Sequence, residues 1–210
     1  MESDSAGREL RQVERAFSRA LCGSKAARSG TLEERALAVD ASEHITIQIS
    51  TDPWEQVEVD AFVCPTNSQA VMTTYPASKL RDLAGRHVEA LVKQHTPLAV
   101  GAAFVTDAGS MRARHLIHVP NTDEPGGKVQ VEDILRATAA VIVACKVKGF
   151  TSVAVPLMGA FDSGIPAEEA ARAIHSEFRS YRGERPLRVI LMAKDADEVE
   201  VFEMAIEGTG

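Results

Sequence analysis

At 210 residues, 45% hydrophobic and 25% charged, the chain has the composition of a globular protein, with room for one well-buried domain and ~40 residues besides. No apolar run reaches the roughly 20 residues that a bilayer-spanning helix needs, so no membrane partner is expected. The charged start, "MESDSAGRELRQVERAF", is no secretory signal, and its acidic residues argue against a transit peptide, so a cytoplasmic location is expected. A net charge of -7 with a pI near 5.4 is the wrong balance for gripping phosphate backbones, which makes nucleic acid an unexpected partner.

In chain order, Leu10, Val13, Phe17 and Leu21 fall three and four apart and draw one apolar stripe along a helix otherwise rich in Arg and Glu. A second short helix is expected from "TLEERALAV", where Thr31 and Glu34 stand at capping-box spacing. Residues 1–42 therefore read as a helical extension, and a stripe over residues 8–21 is a candidate contact for a partner or a second copy. From residue 43 to 207 the text alternates. "HITIQIS" has period-two apolar spacing, and "DAFVC", "AFVT", "HLIHV", "SVAVPLM" and "LRVILMA" are short Val/Ile/Leu-rich strand candidates. Helical patterns lie between them at about 77–94, 130–148, 166–181 and 196–206. The third opens on Pro166 with Glu168 and Glu169 in its first turn. This alternation predicts a three-layer α/β domain with a mixed, mostly parallel sheet, whose ligands bind beyond the carboxyl ends of the strands.

Two loops sit at such ends. "PLMGAFDSGIP", from Pro156 to Pro166, follows a strand and leads into a helix. Backbone N–H groups converging there can hold a phosphate without a cationic side chain, and Gly159 and Gly164 would allow the close approach. The candidate set is Gly159, Ala160, Phe161, Asp162, Ser163 and Gly164; a plain strand-to-helix turn would contain the same residue types. The second loop, "CPTNSQAVMTTYP", carries Asn67 and Ser68 just past a strand. An Asn amide there can hold a ribose hydroxyl or tie up its own turn. Asp52 and Asp162 are candidate acceptors for a ribose or a purine, or caps of their own turns.

Other signals point to structure. His115 and His118 are three apart on a strand and face opposite ways, so no shared metal is expected. "PGGK" at 125–128 reads as a turn, not a P-loop. Cys22, Cys64 and Cys145 have neither disulfide nor zinc spacing and read as buried thiols. The six acids between Asp195 and Glu207, with no base among them, read as a solvated helix face. No cofactor, no metal and no catalytic residue is assigned.

Taken in order, these segments resemble a macro domain. "VDAFVCPTNS" is similar to that family's strand ending in "VDAIVNAANS"; "VGAAFVTDAG" with "RHLIHVP", and "DILRATAAVIVACKVKGFTSVAVPLMGAFDSGIPAEEAARAI", are similar to the segments that follow it. The resemblance implies the fold, binding of ADP-ribose or a related nucleotide, and contact with ADP-ribosylated protein. It places Asn67 at the distal ribose, Asp52 near the adenine, and residues 159–164 at the diphosphate. It also shows departures. Cys64 stands where the de-ADP-ribosylating members have an Asn, "MTTYPAS" replaces a Gly-rich run, and Ala193 and Lys194 stand where many members stack an aromatic. Phe161 replaces the central glycine of the diphosphate loop. In a left-handed conformation it would cost roughly 1–2 kcal/mol; a bulky ring there would fill the phosphate space or cover a ligand. Three functions follow: weak or altered nucleotide binding, a degenerate fold serving as an interaction module, and an ADP-ribosyl hydrolase with Asp162 as its general acid/base.

Overall fold

The structure, a computed structural model, describes residues 39–161 and 164–208. The chain divides into two units, Met1–Arg35 and Ala36–Gly210. The first, with the amphipathic stripe, Thr31 and Cys22, lies outside the described residues, as do Asp162 and Ser163.

Seven strands and five α-helices make up the described unit. They are β1 (Val39–Ala41), β2 (Ile45–Ser50), β3 (Ala61–Asn67), α1 (Ala77–Ala84), α2 (His87–Lys93), β4 (Phe104–Asp107), β5 (His115–Thr122), α3 (Val131–Lys148), β6 (Ser152–Pro156), α4 (Ala167–Arg179), β7 (Leu187–Met192) and α5 (Ala196–Glu207). The sheet order is β1-β2-β7-β6-β3-β5-β4. Only the outer pairs, β1 with β2 and β4 with β5, are antiparallel; the inner five strands run parallel. The expected mixed, mostly parallel three-layer arrangement is what forms.

Period-two spacing sorts the side chains to the two faces of the sheet. Ile45, Ile47, Ile49, Ala61 and Val63 pack on one side with Ile134, Val141, Ile174, Phe178, Val199 and Phe202 from α3, α4 and α5. Phe62 and Cys64 face the other way, onto Trp54, Leu80 and Val88 under α1 and α2. The capping of α3 is local: the Asp133 carboxylate accepts the Gln130 N–H at 2.9 Å, and Gly149 at φ 70° closes the other end. Asp195 caps α5 by accepting the Glu198 N–H at 2.9 Å.

Two boundaries differ from the sequence reading. Residues 39–41 join the sheet against β2 instead of ending a helix, so the sheet begins inside the segment read as an extension. Their backbone finds open partners on an edge strand, and Asp40 is tied to α4 by His175 Nε2 and Arg179, each at 2.9 Å. The helical pattern at 77–94 is two helices, because Gly85 takes φ 106°, a conformation that ends α1.

One irregularity of the sheet shapes everything above it. β3 pairs with β5 along its whole length, but with β6 only at Ala61↔Val153 and Phe62↔Ala154. Pro65, with no N–H to donate, follows three residues later. The registered β3–β6 pairing therefore stops well short of the carboxyl ends, and a cleft lies there between the two strands.

Candidate functional site

The cleft is built from the ends of β3, β5 and β6 and from the start of α1. Thr66, Asn67, Asn121, Thr122, Gly126, Gly127, Gly159 and Phe161 line it, with Thr74 to Ala77 opposite. Its volume is about 70 Å³.

The β6–α4 loop supplies N–H donors. Gly159 sits at φ 80°, and a side chain there would run into Ile134, so glycine is needed twice over. Its carbonyl accepts the Ile165 N–H at 2.9 Å, which folds the loop back so tightly that a Cβ on Gly164 would meet that same carbonyl. Gly164 donates to the Phe161 carbonyl at 3.1 Å. The N–H groups of Gly159, Ala160 and Phe161 make no hydrogen bond to the described residues. Phe161 itself is unstrained: among the described residues Ala70, at φ 53°, is the one non-glycine with positive φ. The left-handed cost anticipated for a phenylalanine there does not arise.

Phe161 instead packs against its neighbours. Its ring meets Tyr75 edge-on, with centroids 4.9 Å apart at 84°, and the Lys194 ammonium lies 5.0 Å from its centre. Lys194 is held by Glu198 at 2.9 Å and by Asp195 at 3.8 Å. Burial works against its charge, but the hydrogen bond and the negative charges of Glu198, Asp195 and Asp197 outweigh that and raise its pKa. Tyr75 continues the line to Trp54 at 5.8 Å, and Lys79 caps Trp54 at 4.2 Å. Burial first, and then the charges of Glu198 and Asp195, push the Tyr75 phenol up, so it stays a neutral donor. Its hydroxyl is buried without a partner among the described residues. Thr66 Oγ1 is likewise buried and unpartnered, in a residue only 6% exposed. A polar atom left so costs about 1–3 kcal/mol.

The residues singled out in the sequence fall in different places. Gly159 and Phe161 line the cleft; Ala160 and Gly164 shape its loop. Asn67 lines it too, but its amide is spent on the turn, accepting the N–H groups of Gln69 (3.1 Å) and Val71 (3.2 Å) and donating to the Val71 carbonyl (3.0 Å). Ser68 bridges to the end of β5, its N–H on the Thr122 carbonyl at 2.9 Å and its hydroxyl 3.5 Å from Asp123. Asp52 is exposed after β2 and bound to Ser50, whose hydroxyl donates to it at 2.8 Å; it does not line the cleft. Cys64 and Cys145 are buried, burial raising both thiols, that of Cys145 to about 12. His118 packs inward on Thr106 at 2.9 Å while His115 stacks on Phe150.

Thr66, Tyr75, Asn121 and the Gly126–Gly127 turn were not assigned to the site from sequence. A buried Thr or Asn inside a strand reads as core, and only the shortened β3–β6 ladder exposes their role. The replacement of a Gly-rich run by "MTTYPAS" was the available clue to Tyr75.

A Macro domain family model matches residues 63–174. An uncharacterized protein of Aquifex aeolicus is 32% identical over 151 residues, covering 72% of this chain and 92% of its own length. The chain belongs to the macro domain family. Another uncharacterized relative of this macro domain, from Aeropyrum pernix, is 31% identical over 176 residues, covering 84% of the chain and 88% of its own length. Among solved structures, the Oceanobacillus iheyensis macrodomain with ADP superposes at TM-score 0.71 with 15% identity, over 83% of this chain and 96% of that one. The Trypanosoma brucei macrodomain in complex with ADP-ribose does so at TM-score 0.66 with 16% identity, over 78% and 69%. At such identities the two superpositions show the shared fold.

Proposed function

We propose that this macro domain binds ADP-ribose or a related nucleotide metabolite, weakly or with altered specificity. The observation that carries this reading is the loop over β6, where three successive N–H groups from Gly159 to Phe161 have no acceptor among the described residues. Such a loop, at the carboxyl end of a parallel sheet, suits an anion. That the Oceanobacillus protein was solved with ADP and the Trypanosoma protein with ADP-ribose agrees with this ligand class.

The described lining offers hydroxyls, amides and N–H groups, which suit binding; Asp162, the carboxylate that a hydrolase reading would use as general acid/base, lies outside the described residues. Isothermal calorimetry with ADP-ribose in the millimolar range tests the reading: saturable heat with a matching thermal shift supports it, and neither at that concentration removes it. A second reading, an interaction module on a degenerate macro fold, draws on the Tyr75–Phe161 contact that narrows the cleft. It gains if calorimetry is silent.

A further inference from the structure

We propose that the opposite pole of the domain carries a binding site, separate from the cleft, for a small anion with two or more phosphoryl groups. The cleft stands at the carboxyl ends of the parallel strands, so their amino ends open on the far side of the sheet. There, between the last turn of α3 and the turn joining α4 to β7, lies a cavity of about 590 Å³. Pockets that hold small molecules run from about 300 to 1,000 Å³. Two short segments line it, residues 145–150 ahead of β6 and 181–185 ahead of β7. Each brings two cations: Lys146 and Lys148 from the helix end, Arg182 and Arg185 from the turn. Glu184 is the one acid in the described lining.

This concentration of positive charge runs against the rest of the molecule, whose net charge is -7. Elsewhere Lys93, Arg112, Arg136 and Arg179 each lie 2.6 to 3.4 Å from a carboxylate. None of the four cations of the cavity has such a partner among the described residues. Two lysines in the last turn of α3 complement the helix dipole, but that does not account for two arginines brought to the same place by a different element. Unpaired like charges around one cavity repel, and an anion seated among them turns that repulsion into attraction. The frame that holds them is fixed. The Tyr181 hydroxyl donates to the Arg185 carbonyl at 2.8 Å and closes the turn, and a Cβ on Gly183 would strike that hydroxyl. Arg182 Nη1 donates to the carbonyls of Arg179 (2.9 Å) and Tyr181 (2.7 Å), which anchors its guanidinium at the turn. The Lys146 ammonium lies 5.2 Å from the centre of the Tyr181 ring. Arg185 Nη1 reaches the α3 cap, 3.6 Å from where a Cβ on Gly149 would stand. Guanidinium forks match phosphoryl oxygens in pairs, and ammonium groups add point charge. Cations on two walls suit a ligand charged at both ends, hence more than one phosphoryl group. A lining of only two short segments suits a small molecule, where an acidic peptide would need a longer groove.

The test titrates the ¹⁵N-labelled full chain with inorganic tripolyphosphate, orthophosphate and hexaglutamate, and reads amide shifts for the native protein and for Arg185→Gln and Lys148→Gln, singly and together. Tripolyphosphate is expected to give saturable shifts centred on residues 146–150 and 181–185, with an affinity about tenfold or more above that of orthophosphate. The double variant is expected to weaken tripolyphosphate about tenfold or more, and each single variant several-fold. Both side chains are exposed and outside any ion pair among the described residues, so the melting temperature should not fall; should the double variant fail to fold, the single variants decide. Saturable shifts that no variant weakens overturn the inference, as does orthophosphate binding as tightly as tripolyphosphate. Hexaglutamate binding as tightly as tripolyphosphate overturns it in favour of an acidic peptide. Tripolyphosphate shifts confined to residues 159–161 overturn it and leave the cleft as the phosphate site. No saturable shift with any of the three overturns it and leaves ADP-ribose binding to its own calorimetric test.

Discussion

The two ends of one sheet edge have had different fates in this molecule. Over β3, β5 and β6 the backbone keeps unsatisfied donors and a buried, partnerless Thr66 hydroxyl. Over β2 and β7 the polar groups are spent on each other: Asp52 on Ser50, Lys194 on Glu198 and Asp195. A ligand site tolerates unpaired polar groups because a ligand completes them, whereas a surface without a ligand is most stable when its charges pair locally. By that criterion the half over β3, β5 and β6 fits the proposed ligand site and the half over β2 and β7 does not.

The largest effect is expected where the loop geometry is over-determined. Gly159→Val places a branched side chain at φ 80° against Ile134, combining left-handed strain with overpacking; ~2–5 kcal/mol of stability should be lost, read as a shifted midpoint in urea denaturation. A midpoint unmoved by the substitution would mean that the loop is not built as described.

Next comes a pH effect beneath the open half. Burial holds the His118 imidazole down at about 4, while the unfolded chain titrates near 6.5. Between those values the unfolded chain binds a proton that the folded one refuses. Stability is thus full above about pH 6.5 and falls as pH drops toward 4, by on the order of 3 kcal/mol. His175, lowered by burial against the opposing pull of Asp40, acts in the same direction. Denaturation midpoints from pH 7.5 to 4.5 should show this slope, and His118→Leu should remove most of it; an identical slope in the variant would assign the effect elsewhere.

Thr66→Val should leave the unliganded protein as stable or more so, by up to about 1 kcal/mol, because it removes a hydroxyl that nothing satisfies. A substitution that stabilises the empty protein and weakens binding marks a ligand contact; one that destabilises it marks a structural hydroxyl. Smallest of all should be Asp52→Ala, which is expected to weaken ligand binding less than Thr66→Val does. The reverse ranking would restore Asp52 to the site and join the two halves of the edge.

Much of this was legible in the sequence. Strand and helix alternation and the glycine-bracketed loop after β6 follow from period and chain punctuation; what a Cβ at Gly159 or Gly164 would meet is visible only in the structure. The start of the sheet was not legible, because Val39–Ala41 follows directly on a helix-like pattern and becomes a strand where β2 offers its edge. Nor was the direction of Asn67, since an amide beside a turn serves a ligand or the turn equally well by composition. The role of Phe161 depended on a partner, Tyr75, 86 positions earlier in the chain, and no local pattern encodes such a contact.

The most direct test of the site is an NMR titration of ¹⁵N-labelled protein with ADP-ribose. Saturable shifts centred on the amides of Gly159, Ala160 and Phe161, with Thr66 among the next most affected, are the expected result. Saturable shifts confined to the Asp52 turn and Lys194, or no saturable shift at any amide, would contradict it.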